Sequence, residues 1–302
     1  MYKIKNINEI PPFLMTLTSA YDHWMYLSST GCLTAGKNEA KHSIFPYVTD
    51  DLLHQNISFT GPISLVKVKS KEEDKIWNPF SNNYISEEIE RNLFKNALGN
   101  KIIFEEINYK YGLKFSYEWN CSEKFGFVRK STIKSMNQSQ TKVELMDGLM
   151  NIMPPGISLR TQQEMSNLAN AYKVSEILTN SNLTLFYLNS LIMDRPEPGE
   201  SLKTAIAWTD LNVSNKIILD HTQLKKFYDN KSINYDPLLT GKQGSFILNF
   251  SLQLNENEQK EWNIITDTNK SQSEINDLLT FLDQRTIVSD HIKKDIQEDY
   301  KK

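Results

Sequence analysis

This sequence predicts a mainly β chain, folded as a large antiparallel two-sheet sandwich and closed by a C-terminal helical tail. Three observations carry that expectation. Between residues 101 and 153 apolar and polar residues alternate in run after run, the period-2 signature of half-buried strands. The connections between those runs are short, and short connections make neighbours antiparallel because a parallel return needs a long crossover. Along the whole chain roughly a dozen such runs occur, enough for sheets that pack face to face.

Taken in order, residues 1–20 read as an extended lead-in broken by Pro11-Pro12. Residues 21–27 form a short aromatic strand, and 28–36 a loop of small residues. Residues 37–51 continue as loop and carry the acidic pair Asp50-Asp51. Residues 56–69 read as a hairpin turning at Gly61-Pro62, and 86–94 as a short helix or a strand. The central stretch follows: strands at 101–108, 113–119, 125–133 and 142–150, with turns at 109–112 and 137–140. Pro154-Pro155-Gly156 stops it. Residues 161–178 have the best helical spacing in mid-chain, through Met165, Leu168, Ala169, Tyr172 and Val174. Strands resume at 183–192, 203–208, 216–219, 245–254 and 262–266, with a polar excursion over 221–243 that holds one helical turn.

The character changes at Ser271-Gln-Ser-Glu274, a capping box. Ile275, Leu278, Leu279 and Leu282 then fall on one apolar stripe. Residues 287–302 are more charged, with little apolar face to bury. The division expected is a sandwich over 1–269 and a helical linker or tail over 270–302. The exposed stripe at 275–282 predicts association, with a further domain or with a second copy of the chain.

Composition narrows the function. A formal net charge of −3 in 302 residues gives no footprint for nucleic acid or an anionic membrane surface. No apolar run reaches the roughly 18 residues of a membrane span, and no secretory leader is visible, so a cytoplasmic location is expected. The two cysteines, Cys32 and Cys121, exclude a disulfide framework.

Motifs for nucleotide, phosphate-loop, serine-hydrolase and zinc-protease chemistry are missing from the sequence, so no cofactor or metal is expected. His23, His42 and His54 lie near Asp50 and Asp51, but their spacing matches no ligand pattern. Glu105-Glu106 sits on a strand, which sends the two carboxylates to opposite faces and so cannot serve glycoside chemistry from one pocket. Asp50 and Asp51, in a loop, could share a pocket, although loop capping is the commoner use of Asp. Arg195, set between acidic residues and prolines, reads as a rigid salt-bridged loop or a ligand clamp. Of the tryptophans, Trp119 and Trp208 alternate along strands and belong to the core. Trp24 and Trp77 lie beside loops and are the better stacking platforms for a sugar.

The run Tyr21-Asp-His-Trp-Met-Tyr-Leu-Ser-Ser-Thr-Gly-Cys-Leu-Thr-Ala-Gly36, followed by Phe45-Pro-Tyr-Val-Thr-Asp-Asp51, resembles the opening of large bacterial proteins related to cellobiose-phosphorylase-type glycoside phosphorylases. Phe104-Glu-Glu-Ile-Asn108, Phe125-Gly-Phe-Val-Arg129 and Val143-Glu-Leu-Met-Asp-Gly-Leu-Met-Asn-Ile-Met-Pro154 are similar to the same proteins, as is Asp194-Arg195-Pro-Glu197 through Trp208. The resemblance implies a galactose-mutarotase-like supersandwich, followed in that family by a helical linker and an (α/α)6 barrel that carries the catalytic carboxylate. It implies that this chain is the non-catalytic sandwich of a carbohydrate-active enzyme, a glycoside phosphorylase or hydrolase whose barrel lies outside it. The partners so implied are an oligosaccharide or sugar phosphate, and the barrel itself. The loop with Ser28, Ser29 and Thr30 is where the sandwich would reach the sugar, since small residues allow close approach. Cys32 departs from the Gly expected there. The binding candidates are therefore Trp24, Ser28, Ser29, Thr30, Asp50, Asp51, Trp77 and Arg195. The competing readings are a free-standing mutarotase-like sugar epimerase, which would need a His acid and a carboxylate base on one concave sheet, and a plain carbohydrate-binding module.

Overall fold

The computed structural model describes residues 1–48, 50–54, 59–70, 72–81, 88–179, 181–192, 199–211, 216–283 and 288–300. In chain order the strands are β1 (Tyr2–Lys5), β2 (Leu14–Leu17), β3 (His23–Ser28), β4 (Leu33–Lys37), β5 (Ser43–Phe45), β6 (Gly61–Val68), β7 (Lys75–Trp77), β8 (Ile89–Lys95), β9 (Ile102–Asn108) and β10 (Leu113–Ser122). They continue as β11 (Gly126–Ser135), β12 (Thr141–Ile152), β13 (Lys173–Ile177), β14 (Thr184–Leu188), β15 (Thr204–Thr209), β16 (Ile217–Ile218), β17 (Leu238–Thr240), β18 (Gly244–Leu254) and β19 (Gln259–Lys270). The helices are α1 (Asp50–Leu53), α2 (Leu159–Glu164), α3 (Ser166–Tyr172), α4 (Gln223–Tyr228), α5 (Gln272–Leu282) and α6 (Val288–Asp299).

A ten-stranded sheet runs β1-β8-β9-β10-β11-β19-β15-β14-β13-β17, and a five-stranded sheet runs β16-β18-β12-β6-β7. A smaller four-stranded sheet, β2-β3-β4-β5, joins them. Every strand pairing among the described residues is antiparallel. The expected antiparallel sandwich with a helical tail is what forms.

The central stretch divides between the two large sheets. β9, β10 and β11 are consecutive hairpins of the ten-stranded sheet. β12 leaves them and pairs with β18 and β6 in the five-stranded sheet. The residue pattern explains the departure. Val143, Leu145 and Leu149 enter the main core, while Met146 and Met150 enter a second cluster with Phe227 of α4. A strand apolar on both faces belongs in the middle of a covered sheet. The same parity governs β10 and β11: Phe115, Tyr117, Trp119, Phe127 and Ile133 face the main core.

On its other face the ten-stranded sheet carries the tail. Ile275, Leu278, Leu279 and Leu282 of α5 pack against Phe125, Val128, Trp208 and Ile265. The stripe therefore packs on the sheet within the chain and is left half-buried rather than fully open. α6 also has an apolar face after all, because Val288 and Ile292 are buried in the same cluster. The capping box forms: the Glu274 carboxylate accepts from the Ser271 amide and hydroxyl.

Other boundaries move. The predicted helix over 161–178 is two short helices, and from Lys173 the chain is strand. Val174 satisfies either period, and its pairing with Tyr187 decides for the sheet. Gly61 starts a strand, and 61–68 is one strand with no hairpin turn at Gly61-Pro62. Residues 89–95 take the strand alternative. Trp119 and Trp208 are core, as expected, and so is Trp77, which is only 2% exposed and is not an open platform. Both cysteines are buried and free.

Candidate functional site

A cavity of about 430 Å³ opens where the three sheets meet. Its walls come from the β3–β4 turn (Thr30, Gly31), β6 (Ser64), the segment after β7 (Asn78, Phe80), β10 (Tyr117) and α4 (Tyr228). The size falls within the range of about 300–1,000 Å³ usual for small-molecule sites.

The turn is built by its own small residues. The Gly31 amide donates to the Ser28 carbonyl at 2.9 Å, and the Ser28 amide to the Cys32 carbonyl at 2.8 Å. Gly31 has φ of +93°, and a Cβ there would lie 3.0 Å from the Tyr117 hydroxyl. Close approach therefore happens at Gly31. Cys32 is buried, with its sulfur 3.3 Å from Thr30 Oγ1, and does not interfere.

Glu106 holds the opposite wall. Its carboxylate accepts from Trp77 Nε1 at 2.6 Å, from the Phe80 amide at 2.7 Å and from Arg91 Nε at 2.6 Å. A guanidinium nitrogen of Arg91 also donates to the Ser81 carbonyl at 2.6 Å. This clamp keeps Phe80 at φ 65°, a conformation that side chains avoid. The Phe80 ring meets Tyr117 edge-on at 5.1 Å.

Beneath Tyr117 lies a buried polar network. The Arg129 guanidinium sits 4.6 Å below the Tyr117 ring and binds Asp147 through both terminal nitrogens, each at 2.9 Å. Ser64, Ser131 and Trp262 also donate to Asp147, at 2.6, 2.7 and 2.8 Å. Burial raises the Tyr117 phenol far above its ordinary pKa, so it stays a neutral hydroxyl. Asn78 Nδ2 donates to the Tyr228 hydroxyl at 3.0 Å on the outer wall. Among the described residues lining the cavity none is Asp, Glu, His, Lys or Arg.

A second cavity, of about 600 Å³, adjoins the segment after β5 and is lined by Tyr47, Leu52, Phe59, Asn151, Gln162 and Lys173 among others. The sequence candidates divide between the two. Thr30 lines the first, with Ser28, Ser29 and Trp77 behind it. Ser28 is fully buried; its oxygen lies 2.7 Å from His54 Nδ1 and 2.8 Å from Thr30 Oγ1, which braces the turn. Ser29 accepts from the Phe13 amide at 3.1 Å. Trp24 is half-buried and packs edge-on against Tyr47, 5.6 Å away, beside the second cavity. Asp50 and Asp51 open α1, which places Leu52 in that cavity; their side chains are not among those described. Arg195 lies outside the described residues. His23 is buried in β3 next to Trp24, His42 lies before β5, and His54 contacts Ser28.

Sequence reasoning missed Tyr117, Asn78, Phe80 and Tyr228. Asn78-Pro79 after a strand signalled a turn, but nothing local told that α4, far along the chain, would face it. Asn151 was missed because it follows a predicted strand as an ordinary polar residue, and Lys173 because it falls within the helix predicted over 161–178.

No protein-family model and no curated protein matches this chain. Among solved structures it is similar to a galactose mutarotase-like protein from Lactobacillus casei ATCC 334, at 7% identity and a TM-score of 0.44, over 85% of this chain and 100% of that one. It is also similar to a polysaccharide lyase, at 9% identity and a TM-score of 0.45, over 87% of this chain and 33% of the lyase. A protein described as a kojibiose phosphorylase from the human microbiome is similar at 14% identity and a TM-score of 0.41, over 95% of this chain and 30% of that one. The chain thus spans about a third of the length of the lyase and of the phosphorylase.

Proposed function

We propose that this chain is the sugar-binding sandwich domain of a carbohydrate-active enzyme of the glycoside phosphorylase or hydrolase type, and that it binds without supplying acid–base groups. The motif resemblance over 21–208 supplies the class. The observation that carries the reading is the lining of the three-sheet cavity: hydroxyls from Thr30, Ser64, Tyr117 and Tyr228, the Asn78 amide and the Phe80 ring, with no charged side chain among the described residues. Hydroxyl and amide groups recognise an uncharged polyol by hydrogen bonds, and an aromatic face takes the C–H side of a sugar ring. Glycoside cleavage needs two carboxylates and epimerisation a His with a carboxylate; the cavity's described lining offers neither pair.

The test is calorimetric titration with neutral mono- and disaccharides, on the protein and on a Tyr228→Ala variant. Tyr228 is on the surface side of the cavity, so the variant should keep its Tm and lose about tenfold or more in affinity. Absence of binding at millimolar sugar, or unchanged affinity in the variant, would overturn the reading.

A further inference from the structure

Lys173 opens β13 and is 4% exposed. Its ammonium donates to Asn170 Oδ1 at 2.9 Å. Among the described residues no carboxylate lies within ion-pairing distance of it, and burial alone lowers its pKa to about 8. An ammonium carries three donors, and a buried cation without a counter-charge is costly to the fold. The side chain nevertheless borders the 600 Å³ cavity and is the one charged group among its described lining residues.

Asn151, Gln162 and Phe59 also border that cavity. Asn151 has φ of 56° and gives its amide nitrogen to Thr60 Oγ1 at 2.9 Å, which leaves its carbonyl oxygen buried with no partner. Gln162 is spent as a brace: it accepts from the Tyr47 amide and donates to the carbonyls of Ala40 and Ile157. Phe59, 62% exposed, supplies an apolar wall near the solvent.

We propose that this second cavity binds a small organic anion, with its carboxylate or phosphate on the Lys173 ammonium and its uncharged body against Tyr47 and Phe59. The anion supplies the missing counter-charge, and a hydroxyl or amine on its body meets the free Asn151 oxygen. Charge selects this ligand, which separates it from the neutral polyol of the three-sheet cavity.

The experiment is titration of the whole chain with glucuronate, glucose 6-phosphate and, as the neutral control, glucose, repeated on Lys173→Met. One or both anions should bind, at least about tenfold more tightly than glucose does at this cavity, and the variant should lose that advantage. Which anion binds tells carboxylate from phosphate. Lys173→Met should melt no lower than the parent, because it removes an unpaired buried charge at nearly constant volume. Three results would overturn the proposal: no anion binding, anion binding that survives in the variant, or a variant that is strongly destabilised, since the last would mean Lys173 already has a partner. Glucose binding that persists in Lys173→Met reports on the first cavity, so each cavity can fail by itself.

Discussion

Arg129 of β11 and Asp147 of β12 form a two-pronged ion pair across the interior, with both side chains fully buried. The two strands are neighbours in sequence and belong to different sheets. The pair therefore fastens the two layers of the sandwich directly under the Tyr117 wall of the first cavity.

Removing one partner leaves a buried charge alone and should cost roughly 3–5 kcal/mol. Arg129→Met and Asp147→Leu are each expected to lower stability by that order in urea unfolding. The double variant should cost clearly less than their sum, because neither charge is left behind. Strict additivity would show that the pair is not a unit.

The Glu106 clamp makes a separate prediction. Glu106→Gln puts an NH2 group where the carboxylate accepted from Trp77, Phe80 and Arg91. At least one donor then faces another donor, at a cost of roughly 1–3 kcal/mol. Amide exchange at residues 78–81 should quicken and sugar affinity should fall. Unchanged exchange there would assign the segment's order to packing alone.

His23 should make the fold acid-sensitive. Burial, reinforced by Lys37, lowers its pKa from 6.5 to about 4, against the opposing pull of Asp267 and Asp22; Lys270 acts with Lys37. Its Nε2 is buried without a partner, and its ring packs edge-on against Phe127. Between those two pKa values the unfolded chain takes up a proton that the folded chain refuses. The contribution is complete above pH 6.5 and is lost progressively toward pH 4, amounting to roughly 3 kcal/mol. Denaturant unfolding across that range should show the slope, and His23→Leu should flatten it.

The tail should behave as part of the core. Ile292, 1% exposed, reaches the cluster around Trp208 and Ile265. Ile292→Ala should cost about 2–4 kcal/mol. A variant with Ile292→Asp should release the tail, bare the stripe at 275–282 and associate in light scattering, whereas the parent should not associate through that stripe.

Much of this architecture was legible in the residue pattern. Alternation placed β10, β11 and β18, the capping box placed the start of α5, and Trp119 and Trp208 were readable as core. Alternation tells which face a residue takes and not which strand lies beside it, so the passage of β12 into the other sheet was hidden. Arg129 and Asp147 were hidden too, because a charged residue in an alternating run reads as solvent-facing until its partner is known. Of the candidate site, the resemblance and the small residues pointed to the turn with Thr30, which lines the first cavity. Tyr228 and Lys173 come from distant segments and were reachable only through the fold.

β19 lies between β11 and β15, so a strand from the last part of the chain is an inner member of the ten-stranded sheet. While the protein is being synthesised, β11 and β15 emerge with those edges open and stay open until residues 259–270 leave the ribosome. Unpaired edges recruit other strands. The nascent chain therefore waits, with two half-sheets, for a single late strand. A stall or break before residue 259 leaves each half-sheet with a sticky seam, the form in which chaperones and proteases would meet this protein.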